Sequence, residues 1–180
     1  MTQKMENLEV ILNKEMSKEI ERKFLIKVLP KNLKEYPHEK IAQGYLSMSK
    51  EDGNMEIRLR KKGKKYYLTA KGKGGKIKTE LEAEITESQF NTFWIGTEGK
   101  RIEKTRYKIP FEKVMIELDI YEGALEGFCY ADIEFLDEKS CDEFIAPEWF
   151  AEEATDDRRY SNKTLILKGL PEEYIKPESR

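Results

Sequence analysis

The chain has 180 residues, 38% charged and 38% hydrophobic, with a formal net charge of −2. That length suits one well-buried domain and is too short for two large ones, and nine Tyr, eight Phe and two Trp exclude a disordered chain. The near-neutral balance lacks the basic excess of a general nucleic-acid binder, and no apolar run approaches the ~20 residues needed to span a membrane.

Residues 1–16 mix charges with single aliphatics and match no signal peptide. They read as a leader, which a translation start at Met16 would make dispensable, ahead of one domain over 17–180. From there the pattern is mostly strands, predicted near 18–28, 39–48, 54–62, 65–72, 77–86, 100–108, 112–121 and 128–136. Turn signals such as Glu51-Asp52-Gly53-Asn54 and Lys73-Gly74-Gly75 separate them. Gly72 to Gly75 lacks P-loop spacing and reads as a flexible hairpin. Three short helices are predicted. One follows a capping box at Thr86–Gln89, with Phe90, Phe93 and Trp94 on one face. A second is capped by Asp137 and runs to about Phe144, and a third runs from Ser161 to Lys168 and stops at Gly169. The expected architecture is mainly β (α+β): an eight-stranded antiparallel sheet closed into a barrel, with helices packed on its outside. Cys129 and Cys141 match no CxxC spacing and read as reduced thiols of a cytoplasmic protein. His38 reads as a surface residue, and Trp149 and Phe150 as packing residues.

Side chains alternate faces along a strand, and here one face is consistently charged. Glu19, Glu21 and Lys23 share a face, as do Glu56, Arg58 and Arg60; Lys71 falls with Thr69 and Tyr67. Further along come Glu80, Glu82 and Glu84, then Lys104 with Arg106, Glu117 with Asp119, and Asp132 with Glu134. A solvated sheet face explains any one of these. Helices covering the apolar faces would instead turn all the charged faces inward, where charges must be paired or bind ions. Ten acids and six bases make up this lining. The carboxylate surplus suits hard divalent cations, Mg²⁺ or Mn²⁺, and the Arg/Lys pairs suit phosphate oxygens. A metal with a polyphosphate satisfies both.

The ordered segments also resemble the CYTH, or triphosphate tunnel metalloenzyme, superfamily over about residues 17–168. Its ExExK signature appears as Glu19-Ile20-Glu21-Arg22-Lys23. Gln43-Gly44-Tyr45-Leu46, Glu56-Ile57-Arg58-Leu59-Arg60, Thr69-Ala70-Lys71 and Glu80-Leu81-Glu82 follow in order. Then come Glu103 to Tyr107, Glu117-Leu118-Asp119, Ile133-Glu134-Phe135 and Arg159-Tyr160-Ser161-Asn162. Lys78 stands where many members carry Arg, and Asp132 where several carry Glu.

The resemblance implies a tunnel holding an extended triphosphate. It implies one or two metal ions, with ligands at Glu19, Glu21, Glu80, Glu82, Glu117, Asp119 and Glu134. It also implies phosphate contacts at Lys23, Arg58, Arg60, Lys71, Lys104, Arg106 and Arg159. The expected reaction is metal-dependent hydrolysis of the terminal phosphate of inorganic tripolyphosphate, with Glu19, Glu21, Lys23, Lys104 and Arg106 as the catalytic set. The partner is then a small-molecule triphosphate, with no nucleic acid or membrane, and the protein a monomer or homodimer. Alternatives are a class IV adenylyl cyclase, with Tyr45, Tyr67 or Tyr121 stacking the base, a thiamine or nucleoside triphosphatase, a non-catalytic polyphosphate-binding module, and a structural barrel with an ion-paired lumen.

Overall fold

The computed structural model describes residues 20–48, 55–71 and 80–178. The leader, Glu19, the Glu51–Asn54 turn, the Gly72 to Gly75 hairpin and Lys78 lie outside the described residues. Nine strands form one antiparallel sheet: β1 (Ile20–Ile26), β2 (His38–Ser47), β3 (Glu56–Lys62), β4 (Lys65–Lys71), β5 (Glu80–Ile85), β6 (Arg101–Phe111), β7 (Val114–Tyr121), β8 (Cys129–Phe135) and β9 (Phe150–Glu153). Their order is β5-β4-β3-β2-β6-β7-β8-β1-β9. Among the described residues three α-helices accompany them: α1 (Glu87–Trp94), α2 (Glu138–Glu143) and α3 (Asn162–Lys168). Among the described residues none is long and apolar enough to cross a membrane.

Eight of these strands were expected and β9 was not. The mainly antiparallel architecture with few helices is the expected one. Among the described residues the ladder runs from β5 to β9, with β9 pairing with β1 through Phe24–Glu153 and Ile26–Phe150. Tight turns set the register elsewhere. The β3–β4 turn carries Gly63 at φ 58° and the β6–β7 turn carries Glu112 at φ 50°, the left-handed geometry that matches the twist of two-residue hairpins. α2 ends one residue earlier than expected, with the Asp137 side chain accepting from the Ser140 amide. In α1 the capping box forms as expected. Phe90 and Trp94 stack at 4.8 Å, but Phe93 is turned to solvent.

Alternation sorts the strands into two faces. On the outer face Phe24, Ile26, Ile116, Leu118, Ile133 and Phe135 bury together with Phe150, against Phe144 and Trp149. α1 covers the β2–β4 part of that face, with Phe90 5.0 Å from the Tyr66 ring and Leu59 fully buried. Gly44 is required here, because a Cβ would stand 2.6 Å from Cβ of Thr97 in the turn after α1.

The inner face holds a second, smaller cluster at one end only: Leu25, Ile102, Tyr121, Phe128 and Tyr130 pack under Tyr160 and under Leu165 of α3. The Tyr121 hydroxyl donates to Asn162 Oδ1 at 2.7 Å, while the next residue, Lys163, reaches Glu56 Oε2 of β3 at 3.6 Å. In a flat sheet β7 and β3, with two strands between them, stand roughly 14 Å apart. One seven-residue helix meets both because the sheet curls around it. α3 therefore closes one end of a concave, charged face.

Candidate active site

Directly opposed residues in antiparallel strands share a face, so the register fixes the lining of the concavity. β1 and β8 set Lys23 beside Asp132 and Glu21 beside Glu134. β7 and β8 set Glu117 beside Asp132, and β6 and β7 set Arg106 beside Asp119 and Lys104 beside Tyr121. Across β2 lies the second bank: Tyr45 opposes Arg58 and Gln43 opposes Arg60. Arg58 opposes Thr69, Glu56 opposes Lys71, and Thr69 opposes Glu82, with Glu80 in register with Lys71. Among the described residues, every expected site residue on β1–β8 thus falls on strand positions of this one face.

The first bank centres on Asp119, which has no exposed surface. Arg106 Nε donates to its Oδ1 and Nη2 to its Oδ2, both at 2.7 Å, and buried Lys104 donates to Oδ2 as well. Burial pushes the Asp119 carboxyl up, but the Lys104 ammonium and the Arg106 guanidinium outweigh it and hold the group below the usual carboxylate range. Arg106 also donates to Glu117 and lies 3.5 Å from Asp132. Lys23 donates to Glu21 and stands 3.8 Å from Asp132 Oδ1.

In the second bank Glu82 is the shared acceptor. Arg60 donates to Glu82 Oε2 at 2.7 Å, the Thr69 hydroxyl at 2.8 Å, and Arg58 lies 3.7 Å away. Burial pushes Glu82 up, and the Thr69 hydrogen bond with the charge of Arg60 reverses this, leaving it low. Arg58 in turn donates to the Thr69 hydroxyl at 3.2 Å. Fully buried Thr69 thus aligns both arginines. The sequence placed Thr69 on the right face but gave no sign of this bridging role.

The donors offered to a metal are all carboxylate oxygens, the chemistry a hard divalent cation selects. Asp132 supplies the sharpest indication: Oδ1 is buried without a hydrogen-bond donor, and burial pushes the group up to about 6 despite Lys23 nearby. Such an oxygen suits a cation, and Glu21, Glu117 and Glu134 lie on adjacent strand positions. Asp119, expected as a ligand, differs: both its oxygens are taken by Arg106 and Lys104. Among the described residues no three metal-ligating side chains converge; the carboxylates are neutralised by basic partners instead.

Arg159 is not brought to these banks. It donates to Asp157 at 2.6–3.0 Å and to Glu173, beside an open groove lined by Glu153, Thr155, Asp156 and Asp157. Two of the three rings considered for base stacking are otherwise engaged. Tyr45 is buried, accepts from the Gln43 amide at 3.2 Å and is pushed up to about 12 chiefly by burial. Tyr121 is buried and holds Asn162. Tyr67 lies under Arg60, 5.9 Å from its guanidinium carbon. Lys163, absent from the sequence-based set, enters the concavity only because α3 docks there. Its strand-free position carried no alternation signal.

The CYTH domain model matches residues 17–168. A protein of Nitrosomonas europaea called inorganic triphosphatase is 42% identical over 151 residues, covering 83% of this chain and 97% of its own length. One of Acetivibrio thermocellus with the same name is 36% identical over 158 residues, covering 84% and 94%. A crystal structure of an inorganic triphosphatase superposes with a TM-score of 0.70 at 39% identity, covering 87% of this chain and 99% of that one.

Proposed function

The chain belongs to the CYTH domain family, and from that premise we propose a divalent-metal-dependent hydrolase that removes the terminal phosphate of a triphosphate. Inorganic tripolyphosphate is the substrate and Mg²⁺ or Mn²⁺ the metal. The observation that carries this reading is the pairing of two basic banks, Arg58/Arg60 and Lys104/Arg106, on one concave face beside oxygen-only donors. A linear polyanion is the small ligand that engages both banks at once, and the names of the two bacterial relatives point the same way.

Glu21, Asp132, Glu134 and Glu117 would hold the metal, with Glu19 just ahead of β1. When bound, a divalent cation neutralises phosphate oxygens and makes water nucleophilic at neutral pH. The protein's own groups do the rest. Arg58 and Arg60 present planar forks to phosphate oxygens, aligned in advance by Thr69 and Glu82. From the opposite wall Arg106 brings a guanidinium and Lys104 a point-charge ammonium, with Asp119 as the positioning residue that sets both. Lys23 reaches the phosphate nearest the carboxylates. Since phosphoryl transfer is governed by positioning and charge stabilisation, preset cations on two walls are the chief catalytic asset of this chain.

Phosphate release and nucleotide products measured with tripolyphosphate, ATP and thiamine triphosphate, each with Mg²⁺ and Mn²⁺, test the reading. Orthophosphate formed fastest from tripolyphosphate is expected. Cyclic AMP with pyrophosphate from ATP would make the protein a cyclase, and tight binding without turnover would make it a binding module. Glu21→Gln is expected to abolish turnover while the circular dichroism spectrum stays unchanged; normal turnover in that variant removes Glu21 from the metal set.

A further inference from the structure

The strand between the two basic banks is β2, flanked by β3 and β6. Its two inward positions that face the arginines are neutral: Gln43 stands across from Arg60 and Tyr45 across from Arg58. Both side chains are buried, with 3% of each residue exposed. A buried amide and a buried phenol are costly unless hydrogen-bonded, and here they serve one another. The Gln43 amide donates to the Tyr45 hydroxyl at 3.2 Å. A phenol oxygen has room for a second donor, and the Arg58 guanidinium lies close enough to hydrogen-bond it. Burial pushes the hydroxyl up to about 12 against the pull of Arg58, so it is neutral near pH 7.

The backbone fixes this segment. Gly44 lies against Thr97, where a Cβ would come within 2.6 Å of its side chain, and the Tyr45 amide donates to the Lys100 carbonyl at 3.1 Å. Directly after Tyr45 the β2–β3 register slips, Arg58 facing Tyr45 while Ile57 faces Ser47. Such a bulge bends a strand and re-aims the side chains beside it. From the other flank, Thr69 of β4 accepts from Arg58 at 3.2 Å. Arg58 is thus held between a phenol and an alcohol on its two neighbouring strands.

On the opposite wall Asp119 orients Lys104 and Arg106 and, being ionised, also cancels part of their charge. A neutral hydroxyl orients a guanidinium and leaves its charge for an arriving anion. We propose that Tyr45, seated by Gln43, is a positioning residue for Arg58, acting on the bound triphosphate through that guanidinium. The inference rests on the triphosphate reading above.

A double-mutant cycle over Tyr45→Phe and Arg58→Gln tests it, with tripolyphosphate titrated calorimetrically into the metal-free protein in EDTA. Tyr45→Phe keeps the buried ring and is expected to weaken binding about tenfold, the scale of one hydrogen bond to a charged group. In the Arg58→Gln background the same change is expected to cost nothing further, because the group it positions is gone. Gln43→Leu, which unseats the hydroxyl, is expected to repeat the Tyr45→Phe loss and likewise to vanish beside Arg58→Gln. An equal loss in both backgrounds overturns the proposal, since it places the hydroxyl on the phosphate or in the fold at large; so does unchanged affinity in Tyr45→Phe. Orthophosphate release by the wild type with Mn²⁺ separates the two ideas. Turnover of tripolyphosphate with additive losses sinks the Tyr45 role alone, whereas a wild type that neither binds nor turns over tripolyphosphate sinks both.

Discussion

Asp119 takes hydrogen bonds from two different cations while fully buried, so its charge sets where Lys104 and Arg106 point. Asp119→Asn keeps the shape and removes that charge. It is expected to lower tripolyphosphate kcat by about 10² and stability by about 3 kcal/mol, because buried cations lose their partner; steady-state kinetics and urea unfolding of the same preparation check both. The sequence showed Asp119 on the charged face, and the family resemblance assigned it to metal. Alternation reveals which face a residue occupies, whereas the identity of its partner depends on register, which the sequence leaves open. The cysteines illustrate the same scale. Cys129 is buried and its thiol pushed up to about 12 by burial, so it stays protonated and inert at neutral pH. Cys141 is only half-buried. Mass spectrometry after iodoacetamide treatment of the native protein should show modification at Cys141 alone, with Cys129 reacting only on unfolding.

Helix α1 was legible because its signals are local: the Thr86–Gln89 box and an apolar i, i+4 pair lie within one segment. β9 was not, because four residues, two of them Glu, carry no alternation to speak of. Its place comes from Phe150 entering the outer core and from Arg22, which donates to Glu153 at 2.6 and 3.1 Å and to the carbonyls of Cys141 in α2 and of Phe144 just after it. Hydrogen bonding to Arg22 is the main cause that holds the Glu153 carboxyl below its usual range. A depressed carboxyl contributes stability that is present above its unfolded pKa and is lost as pH falls through the folded value. Urea midpoints of wild type and Glu153→Gln should therefore differ at pH 7 and converge in acid below about pH 4. At the β2–α1 contact, Gly44→Ala forces a methyl onto Thr97. It is expected to cost about 1–3 kcal/mol, read as a lowered urea midpoint with an unchanged slope.

Over the whole molecule, the inversion of the sheet, apolar outside and charged inside, was legible from seven alternating segments. The closing of one end was not. The third helix showed an apolar side without showing that it would bury Leu165 against the inner face rather than the outer one. Leu165→Ala should cost about 2–5 kcal/mol and loosen α3, which amide hydrogen exchange over Asn162–Lys168 would register as lost protection.

Nearly every cation facing the concavity already has a carboxylate as its counter-ion: Glu82 for Arg60, Asp119 for Lys104, Glu21 for Lys23. An arriving phosphate therefore does not meet bare charge; it changes partners with an acid. Glu82 or Glu21, once displaced, is an uncompensated anion in a partly buried site and gains by taking up a divalent cation. Anion and cation binding are thus thermodynamically linked, each raising the affinity for the other by the same factor. The resident ion pairs also make polyanion uptake an exchange between fixed groups, so its affinity falls less steeply with added salt than the number of basic contacts implies.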